Sequence, residues 1–90
     1  MLNAVFTGSF KKDRKLMVKQ NKDMSKLDEV MTLLINEQPL LPKHKNHPLQ
    51  GDYKGKSECH IEPDWLLIYC IEKSANEISF NRTGSHSELY

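Results

Sequence analysis

Residues 65–71, Trp-Leu-Leu-Ile-Tyr-Cys-Ile, form a near-continuous apolar run between two turn signals, Pro63-Asp64 and Ser74-Ala75-Asn76. A run of that length and composition suits a central strand, which is covered on its faces and has little room for charge. The neighbouring segments supply partners for it. Upstream, Glu58 to Glu62 alternates in polarity; downstream, Ile78 and Phe80 alternate with Glu77, Ser79 and Asn81. The C-terminal part is therefore expected to be an antiparallel meander.

The N-terminal half changes period. Leu27, Val30, Met31, Leu34 and Ile35 follow the i, i+3, i+4, i+7, i+8 spacing of an amphipathic helix, with Asp23 or Ser25 as N-cap. Phe10 to Gln20 is rich in Lys and Arg and places Phe10 and Met17 on one face, so a basic helix is expected there, capped by Ser9. A short strand, with Leu2, Ala4 and Phe6 alternating against Asn3 and Val5, leads into it and ends at Gly8. Pro39, Pro42 and Pro48 keep the connector irregular. The expected architecture is one α+β domain, residues 1–90, in the order β-α-α-β-β-β, with two helices packed on one face of an antiparallel sheet.

Ninety residues are too few to enclose a large cofactor. A hydrophobic fraction of 38% and a charged fraction of 28% describe an ordinary globular chain. No apolar stretch approaches the roughly 20 residues that span a bilayer, and residues 1–10 lack the pattern of a signal peptide, so a cytoplasmic location is expected. Cys59 and Cys70 lie in apolar runs and read as reduced, core-filling thiols. The net charge of +1 hides an asymmetry: residues 11–56 hold eleven Lys and Arg against six Asp and Glu, whereas residues 57–90 hold two against six. A basic half of this kind suits a polyanion or an acidic partner, and equally a solvated helix face.

Parity within the hairpin separates two faces. A two-residue loop at Pro63-Asp64 would put His60, Glu62, Trp65, Leu67 and Tyr69 on one face, and Cys59, Ile61, Leu66, Ile68 and Cys70 on the other. The second, wholly apolar set is expected to meet the helices, leaving the first on the open face. Arg82 shares the parity of Phe80, but a bulge before Gly84 would reverse it.

His47, His60 and His86 stand beside turn-forming residues, and imidazole is the side chain best suited to proton transfer near neutral pH. Each also has a plainer reading. His60 is a structural strand histidine, His44 and His47 are exposed loop residues, Asp64 is a turn residue, Trp65 is core, and Arg82 pairs with Glu58 or Glu62. The spacing of His44, His47, Cys59 and His60 matches no paired Cys/His zinc pattern, so no metal is expected.

Three segments in order carry a resemblance: His47-Pro48-Leu49, Glu58-Cys59-His60-Ile61-Glu62-Pro63-Asp64-Trp65-Leu66-Leu67-Ile68-Tyr69, and Arg82-Thr83-Gly84-Ser85-His86-Ser87-Glu88-Leu89-Tyr90. The chain resembles the YafQ-like bacterial toxins of the RelE/ParE superfamily, also in Asp23-Met24-Ser25-Lys26-Leu27 and Met31-Thr32-Leu33-Leu34-Ile35. That resemblance implies a small microbial-ribonuclease-like, RelE-like fold. It implies a toxin that cuts messenger RNA in the A site of the 70S ribosome, needs no cofactor and is silenced by a cognate antitoxin. Operator DNA would be contacted only by the toxin–antitoxin complex, and no membrane is involved.

In such toxins the positions of His47, His60, Asp64, His86 and Tyr90 are associated with activity, and that of Arg82 with phosphate contact. The expected chemistry is metal-free attack of a ribose 2′-hydroxyl on the adjacent phosphorus. His86 would be the acid and His60 or His47 the base, with Asp64 orienting a histidine. Arg82, helped by Lys54 or Lys56, would stabilise transition-state charge, and Tyr90 or Trp65 would stack on a base. The chain departs from its relatives at Lys56-Ser57-Glu58, where an aromatic and an arginine are common before the acidic residue, and at Tyr90, where phenylalanine is common. Two alternatives share the architecture: a ParE-like toxin that binds gyrase without nuclease activity, and a non-catalytic RNA-binding module. The histidine set separates the nuclease from both.

Overall fold

The computed structural model describes all residues, 1–90. Strand β1 (Asn3–Phe6) leads into helix α1 (Gly8–Lys19) and helix α2 (Met24–Ile35); β2 (His47–Pro48), β3 (Ser57–Glu62), β4 (Trp65–Glu72) and β5 (Glu77–Gly84) follow, and α3 (His86–Leu89) closes the chain. The sheet order is β1-β5-β4-β3-β2, which makes β4 the central strand. The meander β2 to β5 is antiparallel, whereas β1 pairs with β5 in parallel, so the sheet is mixed. The parallel pairing follows from the two helices, which carry the chain back across the sheet before β5.

Local chemistry fixes the helix ends. Thr7, not Ser9, caps α1, its hydroxyl accepting from the Phe10 amide at 3.1 Å. Asp23 caps α2, accepting from the Ser25 amide at 3.1 Å. Phe10 and Met17 from α1, and Leu27, Val30, Met31 and Leu34 from α2, are buried against the sheet. They meet Cys59, Ile61, Trp65, Leu67, Tyr69, Ile78 and Phe80 in one core.

This packing keeps Cys59 and Ile61 on the helix side as expected but reverses the expected faces of β4. A bulge at Ile61 shifts the β3–β4 register, so Glu62 still faces Trp65 but His60 faces Leu66 and Cys59 faces Leu67. The helices therefore cover Trp65, Leu67 and Tyr69, while Leu66 and Ile68 lie on the opposite face with Leu89 of α3. Trp65 is fully buried, and its indole Nε1 donates to Thr83 Oγ1 at 2.9 Å. It has no free face on which to stack a base. A second bulge, at Asn81, reverses the phase of β5: Phe80 faces the helices, whereas Arg82 stands opposite Ile68 on the other face.

Cys59 is core as expected, and burial pushes its thiol up to about 12. Cys70 is only half-buried, with Glu72 near its sulfur. His44 is buried, contrary to its reading as a loop residue, and its Nδ1 accepts from the Leu41 amide at 3.2 Å. No helix is long and apolar enough to cross a membrane.

Candidate active site

The face of the sheet that the two long helices leave uncovered gathers three of the four histidines, His47, His60 and His86. His60 stands opposite Leu66, and Glu58, two residues earlier, opposite Ile68, so the pair projects from the same side of β3. Pairing of β2 with β3 sets His47 opposite Glu58. On the other side of β4, Gly84 lies opposite Leu66. A side chain at Gly84 would meet Glu88 Oε1 at 3.0 Å, so glycine lets α3 fold back over the sheet. Ser85 then caps α3, its hydroxyl accepting from the Glu88 amide at 3.2 Å while Glu88 Oε1 accepts from the Ser85 amide at 2.8 Å. This box fixes His86 in the first turn.

The result is a row of rings. The centroids of His47 and His60 are 6.5 Å apart, those of His60 and His86 5.9 Å, and those of His86 and Tyr90 6.4 Å. Asp64 holds His86 twice: its Oδ1 accepts from the ring Nδ1–H at 2.8 Å and from the backbone amide at 3.0 Å. The second nitrogen, Nε2, is left for other partners. Those bonds from His86 hold the Asp64 carboxyl below the usual carboxylate range. A polar cleft of about 340 Å³ opens beside the pair, with Lys22, Glu62, Asp64 and Ser87 on its walls.

Glu58 is the hub that the sequence reading left out of the site. Its side chain is only 6% exposed, yet its Oε2 lies 3.2 Å from His47 Nε2 and 3.8 Å from His60 Nε2. Its Oε1 accepts from the Tyr90 hydroxyl at 2.7 Å. The longer of these is electrostatic proximity and not a hydrogen bond. His47 Nδ1–H donates to the Lys45 carbonyl at 2.7 Å, so both of its nitrogens face oxygen acceptors. Loss of water around the hydroxyl, and then the bond to Glu58, raise the Tyr90 phenol above its ordinary range although most of the ring is exposed. One signal for Glu58 is legible in hindsight: it sits two residues before a strand histidine and so shares its face.

Arg82 is on this face too, but Glu58 and Glu62 are not its partners. Its Nε donates to Asp13 Oδ2 at 2.7 Å and its Nη2 to Oδ1 at 3.3 Å. The Tyr53 phenol, which stacks edge-on with Tyr90 at 5.5 Å, lies beside it. Lys54 is an exposed turn residue, and Lys56 lies by Cys70 at the end of the β3–β4 hairpin remote from His60. No three His, Cys, Asp or Glu side chains converge in a way that would hold a metal ion. The arrangement provides what proton transfer at a phosphate requires: an imidazole oriented by a carboxylate, two more beside a buried carboxylate, and a guanidinium on the same surface.

A small α+β domain with this ring of histidines on its open face defines a class, and comparison with known proteins gives it a family. Residues 2–90 match the family model described as the bacterial toxin of type II toxin-antitoxin system, YafQ. The chain is 48% identical over 86 residues to the mRNA interferase toxin YafQ of Escherichia coli K12, covering 94% of this chain and 91% of that one. Among solved structures, that of the E. coli DinJ–YafQ complex is 45% identical with a TM-score of 0.92, covering 100% of this chain and 99% of the other. A metal-bound toxin from Helicobacter pylori is 47% identical with a TM-score of 0.94, covering 100% of both chains. The chain belongs to the YafQ family of type II toxin–antitoxin toxins.

Proposed function

We propose that this toxin is an endoribonuclease, an mRNA interferase, that cuts messenger RNA in the ribosomal A site and is held inactive by a cognate antitoxin. The observation that carries the reading is the Asp64-held His86 standing 5.9 Å, ring to ring, from a His60 that borders the buried Glu58. The names of the E. coli relatives, an mRNA interferase and the toxin of a DinJ–YafQ complex, support the substrate class and the kind of partner.

In this reading His60 takes the proton of the ribose 2′-hydroxyl, because both nitrogens of the neighbouring His47 already face oxygen acceptors. The 2′-oxygen attacks phosphorus, the bond to the departing 5′-oxygen breaks, and His86 Nε2 gives that oxygen its proton. The products are a 2′,3′-cyclic phosphate and a 5′-hydroxyl. Asp64 stabilises the charged imidazole that serves as acid and fixes its tautomer. Glu58 supplies negative charge where the base becomes cationic, and Arg82 supplies positive charge to the crowded phosphorane-like oxygens. Tyr90, which is 61% exposed and tethered through its hydroxyl, offers a ring face to a base.

Primer extension on a defined message in a translation reaction with purified ribosomes tests this. Cuts at A-site codons should need both the toxin and the ribosome and vanish in His86→Ala. Growth arrest without cuts would remove the nuclease reading in favour of a gyrase-directed or other binding target.

A further inference from the structure

We propose that Asp13 is a positioning residue for the cleavage reaction, fixing the Arg82 guanidinium so that one terminal nitrogen, Nη1, is left for the scissile phosphate. The inference rests on the reading above that Arg82 meets that phosphate. Asp13 lies in α1, 69 residues from Arg82 in sequence, and nothing in the C-terminal motifs points to it. Strand β1 accompanies β5 only as far as the Phe6–Phe80 pair, so residues 81–84 of β5 have no strand on that edge, and α1 packs there instead. The Thr83 amide, which would be an orphan donor at a bare strand edge, gives its hydrogen to Asp13 Oδ2 at 3.1 Å. The carboxylate is thereby tied to backbone that is itself held by buried bonds, since Thr83 Oγ1 accepts from Trp65 and donates to the Leu66 carbonyl at 2.8 Å.

That anchored carboxylate is the fixed point against which Arg82 is set. It takes Nε and Nη2 at 2.7 and 3.3 Å in a two-point grip that defines the guanidinium plane. The side chains are 29% and 15% exposed, so water competes weakly for the pair. Because of the bulge at Asn81, Arg82 stands in the cross-strand row Glu58–Ile68–Arg82, two strands from Glu58 and on the face of the histidines. The Tyr53 phenol is a further neighbour of the guanidinium. Asp13 also cancels part of the charge of Arg82, so the arginine is set for directed contact more than for long-range attraction of RNA.

Single-turnover cleavage on programmed ribosomes, at saturating and limiting toxin, separates these roles. Asp13→Asn should lower the saturated rate about tenfold or more while leaving half-saturation unchanged or lower, because a freed arginine still attracts RNA. Asp13→Glu should recover part of the rate, and Asp13→Asn should add nothing in an Arg82→Ala background. A wild-type rate in Asp13→Asn beside a slow Arg82→Ala would overturn the positioning role and leave the nuclease reading intact. An equal loss in both backgrounds would mark Asp13 as merely structural and overturn it as well. Wild-type cleavage by Arg82→Ala beside an inactive His86→Ala would remove the premise about Arg82 alone, and with it the role of Asp13. Should Asp13→Asn fail to fold, the comparison of Asp13→Glu in the two Arg82 backgrounds carries the same decision.

Discussion

Glu58 shows how much of the site depends on a residue that the sequence offers only indirectly. Its carboxylate is buried because His47, His60 and Tyr90 surround it, and such a charge is tolerated only where partners replace water. Replacing it with glutamine should therefore weaken cleavage and release the Tyr90 phenol toward the ordinary tyrosine range, read by ultraviolet pH titration. An unchanged phenol titration in Glu58→Gln would show that desolvation of the hydroxyl alone raises it. His47, His60, Asp64 and His86 were singled out by residue type together with the family resemblance, and they lie side by side on one face. Asp13 was not singled out, because its partner is 69 residues away. His44 misled the reading in the other direction: a polar residue among prolines looks exposed, yet it is buried, and burial, then the charge of Lys43, lowers its pKa. A histidine whose folded pKa is depressed binds fewer protons folded than unfolded. Its contribution to stability is thus complete above about 6.5 and is lost as pH falls through the depressed value. Urea unfolding should show His44→Asn flattening the decline in stability on the acid side of 6.5, and a slope identical to wild type would refute that contribution.

At the level of elements, β1, β3, β4, β5 and both long helices followed from periodicity, whereas the two-residue β2 inside the proline-rich connector, the short α3 and the two bulges did not. Each bulge inserts one residue, and one residue is enough to exchange the faces of everything beyond it. At Ile61 the insertion keeps His60 on the open face while Trp65 turns into the core, which is why Trp65 failed as a stacking platform. At Asn81 it brings Arg82 to the site and sends Thr83 inward to the Trp65 indole. Neither position carries a glycine or proline to mark it. The short α3 is the element most sensitive to a single change, because its start depends on the reciprocal Ser85–Glu88 bonds. Ser85→Ala should cost about 1 kcal/mol of local stability. Amide exchange at Glu88 and Leu89 should accelerate, and cleavage should fall as His86 loses its fixed place. Unaltered exchange at those amides would show that Leu89 packing alone holds the turn.

The whole molecule divides its sheet between two tasks. One face is closed by α1 and α2 over a continuous apolar core; the other is held open by a small cluster of Leu66, Ile68 and Leu89 that seats α3 beneath the histidines. The surplus of positive charge lies mainly in the helical half, and the acidic residues used at the site, Glu58 and Asp64, in the strand half. Long-range attraction of RNA and local proton chemistry thus reside in different parts of one small domain. The central claim is that this surface cleaves RNA through the ribose 2′-hydroxyl. The most direct measurement is to present programmed ribosomes with a message bearing a single 2′-deoxy nucleotide at the cut position and to identify the termini formed on the unmodified message. The account predicts a 2′,3′-cyclic phosphate and a 5′-hydroxyl on the normal message, and no cut at the deoxy position. Cleavage of the deoxy-substituted bond at an undiminished rate, or a 5′-phosphate terminus, would contradict it.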